Sequence, residues 1–377
     1  MRHMALFLEG HIYQRLLRPL IFRDSAQKAH TRIMRLLAAT DSSPRLIPFF
    51  TALRRLLFRR QPIEIGGVNL PYPVILAAGF VKGTGFAREN EALAAVQNGI
   101  NIIPGWRTMP QLVGPVEFGS YTRWPRLGNP GTVIWRRAET LSTQNRVGLR
   151  NPGARAAAEF LARHKPALPE VFGINIAVSP GVDTLDAETT DTLESLESFV
   201  VRGVLPSWFT LNLSCPNTED DPRGNQTEDK TRHLCGAAMH YLREVASANG
   251  KPIPLWVKIS PGLNANQYQA LLKAFVETGV GAVIATNTRG MPVPGDAALT
   301  AGVGGQELQP DALAAVQCLA QAQNAYSRPP DIIGCGGVMD STSFGAFRQV
   351  GARAVQYYSA LIYQGPFAGA HILDIRN

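Results

Sequence analysis

Along this chain, short apolar runs alternate with longer stretches in which apolar residues recur at helical spacing. The runs fall at 74–78, somewhere between 100 and 118, then at 172–177, 209–213, 255–259, 282–286, 331–334 and 354–358. Amphipathic stretches at 193–201, 231–248, 267–278 and 311–323 lie between them. Continuous runs, rather than in-out alternation, predict strands buried on both faces, and intervening helices imply a parallel sheet. Eight such units predict an α/β chain closed as a (β/α)₈ TIM barrel. The alternative is an open doubly wound sheet, but no GxGxxG follows the first run as its nucleotide site would require.

Ahead of the first run the pattern changes. Ile12, Tyr13, Leu16, Leu17, Leu20 and Ile21 recur at helical spacing, as do Ala26, Ala29, Ile33, Leu36 and Leu37, with Lys28, Arg32 and Arg35 on another face. Two short amphipathic helices are expected, followed by a Pro-rich join from Pro44 to Pro62. Residues 1–60 therefore read as a helical arm and residues 61–377 as the barrel.

Charge sharpens that division. Twelve of the 37 basic and three of the 29 acidic side chains fall within residues 1–60, so the arm carries the whole net charge of +8 and the body is nearly neutral. A basic arm serves nucleic acid or an anionic membrane surface. Amphipathic helices with basic polar faces favour the membrane, with no nucleic acid as partner. The same pattern also fits a helical hairpin packed on its own barrel. There is no apolar run of the ~18 residues needed to span a bilayer. Glu9 and His11 interrupt the one candidate secretory core. The expected location is peripheral, on the cytoplasmic face of the cell membrane if the source is bacterial.

The 45% hydrophobic composition suffices for a large core. Cys215, Cys235, Cys318 and Cys335 form no CxxC pair, and the histidines no HExxH, so no metal is expected.

In barrels of this kind the reactive residues lie at the carboxyl ends of the strands. Those ends carry Lys82, Asn175, the run from Asn212 to Asn217, Lys258, Thr286-Asn287-Thr288, Gly336-Gly337 and Tyr358-Ser359. Taken singly, each suits a cap or a turn. Together they form a rim rich in neutral amides and poor in acids, which suits a flat heterocycle of alternating C=O and N–H groups. The lysines would balance negative charge on a carboxylate or a reduced ring. Glycines and a serine after the last strands are placed to take a phosphate through backbone N–H groups. Phosphate site, amides and lysine together imply FMN.

The motifs resemble one family. Asn-Leu-Ser-Cys-Pro-Asn-Thr (212–218), Val-Lys-Ile-Ser-Pro (257–261), Val-Ile-Ala-Thr-Asn-Thr (283–288), Ile-Ile-Gly-Cys-Gly-Gly (332–337) and the run from Val355 to Pro366 are similar to dihydroorotate dehydrogenase signatures. Ala-Gly-Phe-Val-Lys (78–82), Asn-Arg-Val-Gly (145–148) and Gly-Ile-Asn-Ile (173–176) are similar too, and all stand in family order. The arm, from Tyr13 through His30 to Leu37, resembles the quinone-binding helices of the membrane-associated class. The resemblance implies oxidation of dihydroorotate to orotate in pyrimidine biosynthesis, with electrons passing through FMN to a membrane quinone. By position, it implies that Lys82, Asn145, Asn212, Asn217, Asn287 and Thr288 hold the substrate. It likewise assigns Ala78, Gly79, Ser120, Asn175, Asn212, Lys258, Thr286, Gly305, Gly336, Gly337, Tyr358 and Ser359 to FMN, and His30 and Arg136 to the quinone tunnel.

The resemblance places Cys215 where the family has its base. The membrane class usually carries serine there, and cysteine marks the soluble classes. A thiol near pKa ~8.5 is the more easily ionised base, so the exchange is chemically simple and the arm is the weightier class marker. Leu149, Val81 and Gly304 also depart from the family pattern. About 18 extra residues precede Ser120, and the acidic loop 219–225 replaces the expected lid. These departures motivate an alternative, an FMN enzyme acting on another cyclic amide or enone. A third reading is a barrel that has lost FMN and only binds membrane.

Overall fold

The computed structural model describes residues 2–213 and 227–374. Eight parallel strands close into a barrel: β1 (Val74–Leu76), β2 (Val116–Tyr121), β3 (Phe172–Ile176), β4 (Trp208–Asn212), β5 (Leu255–Ile259), β6 (Ala282–Ala285), β7 (Asp331–Cys335) and β8 (Ala354–Tyr357). Each pairs with its neighbours in sequence, and Val355 opposite Val74 closes the ring. The runs are continuous because both faces are covered: every residue of β1, β3, β5 and β6 is buried. The second strand, loosely located by pattern, is preceded by helices Glu89–Gln97 and Thr108–Val113.

Helices Leu185–Val200, Glu228–Asn249, Ala265–Thr278 and Gln309–Gln323 cover the expected stretches and run longer at their amino ends. Caps set one of those ends: Asn264 and Gln267 bond reciprocally ahead of Ala265–Thr278. At the amino end of the barrel, a hairpin of Ile63–Ile65 and Val68–Leu70 forms a floor. Trp256 Nε1 donates to Gly66 O at 3.2 Å. Gly66 sits at φ +49°, and a Cβ there would meet the Trp256 ring at 2.5 Å, so only glycine fits.

Two features differ from the sequence reading. A four-stranded antiparallel sheet, in the order Arg289–Val293, Asp296–Gly305, Ser142–Asn145, Ile134–Arg137, joins the segments that follow β2 and β6. Its strands are rich in polar residues and glycine, so their apolar signal is weak. Gln144, fully buried, ties it together by donating to Met291 O at 2.8 Å.

The second difference lies in the arm. It has α1 (Arg2–Ile12), a π-helical turn at Tyr13–Leu17, α2 (Arg18–Phe22), α3 (Ala26–Asp41) and α4 (Leu46–Leu57). The expected join is thus largely a helix. Pro48 is its third residue, in the first turn where a missing N–H costs no helical bond. One face of the arm packs on the barrel through Leu6, Tyr13, Ala29, Leu37 and Leu57. Tyr13 Oη donates to Ile362 O at 2.8 Å. The carboxylate of Asp41, at the end of α3, accepts the backbone N–H groups of Gly105 (2.7 Å) and Thr108 (2.9 Å) and the Asn101 amide (2.9 Å). The other face is bare: Phe7, Leu16 and Leu20 are 64%, 60% and 55% exposed. Among the described residues no helix is long and apolar enough to cross a membrane.

Candidate active site

The carboxyl ends of the strands bring most of the predicted residues together. Asn212 ends β4, and its Nδ2 donates to Ser120 Oγ on β2 at 3.2 Å. Asn287, just past β6, donates from Nδ2 to Asn212 Oδ1 at 3.3 Å. Its own Oδ1 accepts the Thr288 N–H at 2.9 Å. Three rim segments therefore share one chain of side-chain hydrogen bonds. Cys215 and Asn217 lie outside the described residues, as does the acidic loop 219–225.

Asn145 arrives on the accessory sheet, opposite Gly302, which in turn faces Gly290 two residues after Thr288. The sheet meets the rim at a second place, where Thr143 Oγ1 and Ser359 Oγ lie 2.8 Å apart.

Backbone approach is close at the glycines. A Cβ on Gly337, at φ +79°, would come 2.4 Å from Gln309 Cβ and 3.0 Å from Gly305 O. Gly305 and Gly337 thus approach each other closely beside the start of helix Gln309–Gln323. Gly336 has a different constraint: its Cβ would strike Leu308 and Ala312 at 2.9 Å, so helix packing requires it. Gly79 N donates to Gly119 O at 2.6 Å, and Tyr358 lies 3.6 Å from where a Gly79 Cβ would be. Ala78 is in the same β1 turn, and Thr286 N donates to Cys335 O across from β6 to β7. Burial pushes the Tyr358 phenol up to about 12, so it stays protonated.

Below the rim, Glu117 on β2 is fully buried in the barrel interior, a residue that pattern reading passed over. It accepts from Asn175 Nδ2 (2.8 Å), Trp208 Nε1 (3.0 Å), Thr210 Oγ1 (2.8 Å) and Gln356 Nε2 (3.0 Å). Gln356 Oε1 accepts from Lys258 Nζ at 3.2 Å. A signal for Glu117 and Gln356 did exist: each is a polar residue between two apolar neighbours in a barrel strand.

Whether this rim fits a flavin is tested by its orphaned polar atoms. Among the described residues, the buried Asn175 Oδ1 and Thr288 Oγ1 have no hydrogen-bond partner. Buried polar atoms left unpaired cost ~1–3 kcal/mol each, and a ligand bearing N–H and C=O groups would satisfy them. With the close backbone approach at Gly305 and Gly337 and with Lys258, the donor set fits FMN. Among the described residues no group of His, Cys, Asp and Glu gathers as it would around a metal ion.

The two quinone-tunnel candidates, His30 on α3 and Arg136 on the accessory sheet, lie where the arm meets the rest of the chain. The His30 ring on α3 lies edge-on to Phe80 at 6.4 Å, and Phe80 lies 6.0 Å from Tyr358. Burial, with Lys82 and Arg150 nearby, pushes His30 down to about 4, so it is neutral at neutral pH. The Arg136 guanidinium lies 4.1 Å over the Phe22 ring and donates to Asp24 O, docking the accessory sheet on the α2–α3 corner.

Comparison with known proteins agrees with this geometry. The family model described as dihydroorotate dehydrogenase matches residues 62–375. The chain belongs to that family. A dihydroorotate dehydrogenase (quinone) of Chromobacterium violaceum is 31% identical over 93% of this chain and 94% of its own. A protein of the same description from Chloroflexus aurantiacus is 31% identical over 95% and 94%. In fold, the chain resembles the crystal structure of DHODH from Eimeria tenella in complex with ferulenol, with a TM-score of 0.72 and 24% identity over 93% of this chain and 90% of that one.

Proposed function

We propose that the rim amides hold dihydroorotate against FMN while the arm carries a quinone between the barrel and an anionic membrane surface. The enzyme is a dihydroorotate dehydrogenase, oxidising dihydroorotate to orotate in pyrimidine biosynthesis. The observation that carries the site assignment is the bonded series Ser120, Asn212, Asn287, Thr288, drawn from strand ends on different sides of the barrel.

In the reaction, the C5 proton leaves to a base, the C6 hydrogen leaves with its bonding electrons, and a C5–C6 double bond forms. Bound FMN would supply the acceptor for that hydride and the relay of both electrons to a quinone, which takes up two protons as it is reduced. The chain's own residues do the rest. Amides such as Asn212 and Asn287 present donors and acceptors at fixed spacing, which orients a flat ring. Lys82, near enough to His30 to depress its basicity, supplies positive charge for the substrate carboxylate. Cys215 is assigned as the base from its place in the Asn-Leu-Ser-Cys-Pro-Asn motif. Asn145 and Asn217 complete the substrate set. FMN would be held by Ala78, Gly79, Ser120, Asn175, Asn212, Lys258, Thr286, Gly305, Gly336, Gly337, Tyr358 and Ser359.

Residues 1–60 are read as the membrane arm because its outer face combines bare apolar groups with exposed Arg15, Arg23, Lys28, Arg32 and Arg35. His30, linked through Phe80 to Tyr358, and Arg136 mark the quinone path. The test is orotate formation by purified protein given dihydroorotate and a soluble quinone. Steady turnover is expected. No orotate from flavin-loaded protein would refute the substrate.

A further inference from the structure

We propose that Glu117 is a positioning residue for the flavin site, setting the amide polarity of Asn175 and, through Gln356, the placement and charge balance of Lys258. The inference rests on the reading of this rim as an FMN site.

Glu117 lies inside the barrel, and its partners sit on three other strands: Asn175 on β3, Trp208 and Thr210 on β4, Gln356 on β8. An ionised carboxylate only accepts hydrogen bonds. Both amides must therefore turn their NH₂ ends toward it. For Asn175 this leaves Oδ1 as the buried, unpartnered acceptor. For Gln356 it leaves Oε1 facing Lys258 Nζ at 3.2 Å. One carboxylate thus dictates which way two amides point, and one of those amides holds the buried lysine.

Charge gives the second part. Lys258 is 6% exposed, and among the described residues no carboxylate pairs with it directly. A buried cation needs compensation nearby. Glu117 supplies it through the Gln356 bridge. Cys335 also faces Lys258, and burial raises its thiol, so it stays neutral and adds no charge. The pair Glu117 and Lys258 would then contribute to the electrostatic field felt by a bound flavin. A negative charge held there opposes the addition of electrons.

The test uses the full-length, flavin-loaded enzyme and measures FMN midpoint potential and FMN dissociation. Glu117→Gln keeps shape and removes the charge. It is expected to raise the midpoint potential by at least tenfold in equilibrium constant, ~30 mV for a two-electron couple. Gln356→Met keeps both charges and cuts the bridge, and is expected to weaken FMN binding by about tenfold, the scale of a lost hydrogen bond to a charged group. Thr210→Val removes a different donor from the same carboxylate. It should lower stability while leaving the potential at the wild-type value. Equal shifts in Thr210→Val and Glu117→Gln would reduce Glu117 to a structural role and overturn the proposal. So would a wild-type potential in Glu117→Gln or, should that variant not fold, unchanged FMN affinity in Gln356→Met. Wild-type protein whose extract contains no FMN would instead overturn the underlying reading of the site.

Discussion

Asn287 and Asn212 are 75 residues apart in sequence, yet Asn287 Nδ2 donates to Asn212 Oδ1 at 3.3 Å across the barrel mouth. The contact fixes which end of the Asn212 amide is turned inward, since Asn212 Nδ2 is already committed to Ser120 Oγ. On the proposed reading, two amides locked this way would present a preset order of donors and acceptors to a planar ring. Replacing Asn287 by Ala should therefore disturb Asn212 as well. A rise of at least tenfold in the KM for dihydroorotate is expected, from loss of two ordered hydrogen-bonding groups. Steady-state kinetics of Asn287→Ala would show it, and an unchanged KM would mean the amides do not read the substrate.

The base assignment predicts a separate effect. Cys215→Ala should keep FMN bound but slow the bleaching of flavin absorbance by dihydroorotate by ~10²-fold or more, the usual scale for a lost general base. Stopped-flow absorbance measures this directly. Cys215→Ser should recover part of the rate, as a weaker base in the same place.

Asp41 joins the arm to the barrel. Asp41→Ala would leave the N–H groups of Gly105 and Thr108 and the Asn101 amide without their acceptor. A cost of ~2–4 kcal/mol is expected from buried donors left unmet. A lowered thermal midpoint, with the FMN spectrum of the surviving folded fraction unchanged, is the expected result.

His30 gives the arm a pH dependence. Its folded pKa of about 4 lies below the ordinary value near 6.5, so the unfolded chain binds more protons between those values. The contribution of His30 to stability is thus fully present above pH ~6.5 and is lost as pH falls toward 4. Melting curves of wild type and His30→Gln at pH 7 and pH 5 should differ, the variant losing less on acidification.

Much of this was legible in the sequence, for physical reasons. Barrel strands such as β1 and β6 are buried on both faces and so show as unbroken apolar runs. The rim amides follow from strand ends, because the fold places its chemistry there. The accessory sheet was not legible, since strand Ser142–Asn145 is polar throughout and is held by the Gln144 side chain as well as by its ladder. Helix α4 was hidden by Pro44 and Pro48, which mark a helix start as readily as a join. The outer stripe of the arm was visible as a helix, but its exposure was not. Ile12, Leu16, Leu17 and Leu20 face outward while Tyr13 alone of that set is buried.

That outer stripe predicts a membrane phenotype. Phe7→Ser combined with Leu16→Ser and Leu20→Ser should cut co-sedimentation with anionic vesicles by at least tenfold, since each buried CH₂ contributes about 0.8 kcal/mol. Turnover with a soluble quinone should stay near wild type. Undiminished vesicle binding would mean that the bare face serves another purpose.

The most direct test of the account is the absorbance spectrum of purified protein under anaerobic conditions, before and after dihydroorotate. A flavin spectrum that bleaches within seconds of addition is predicted. A colourless protein, or a flavin that dihydroorotate leaves fully oxidised, would contradict it.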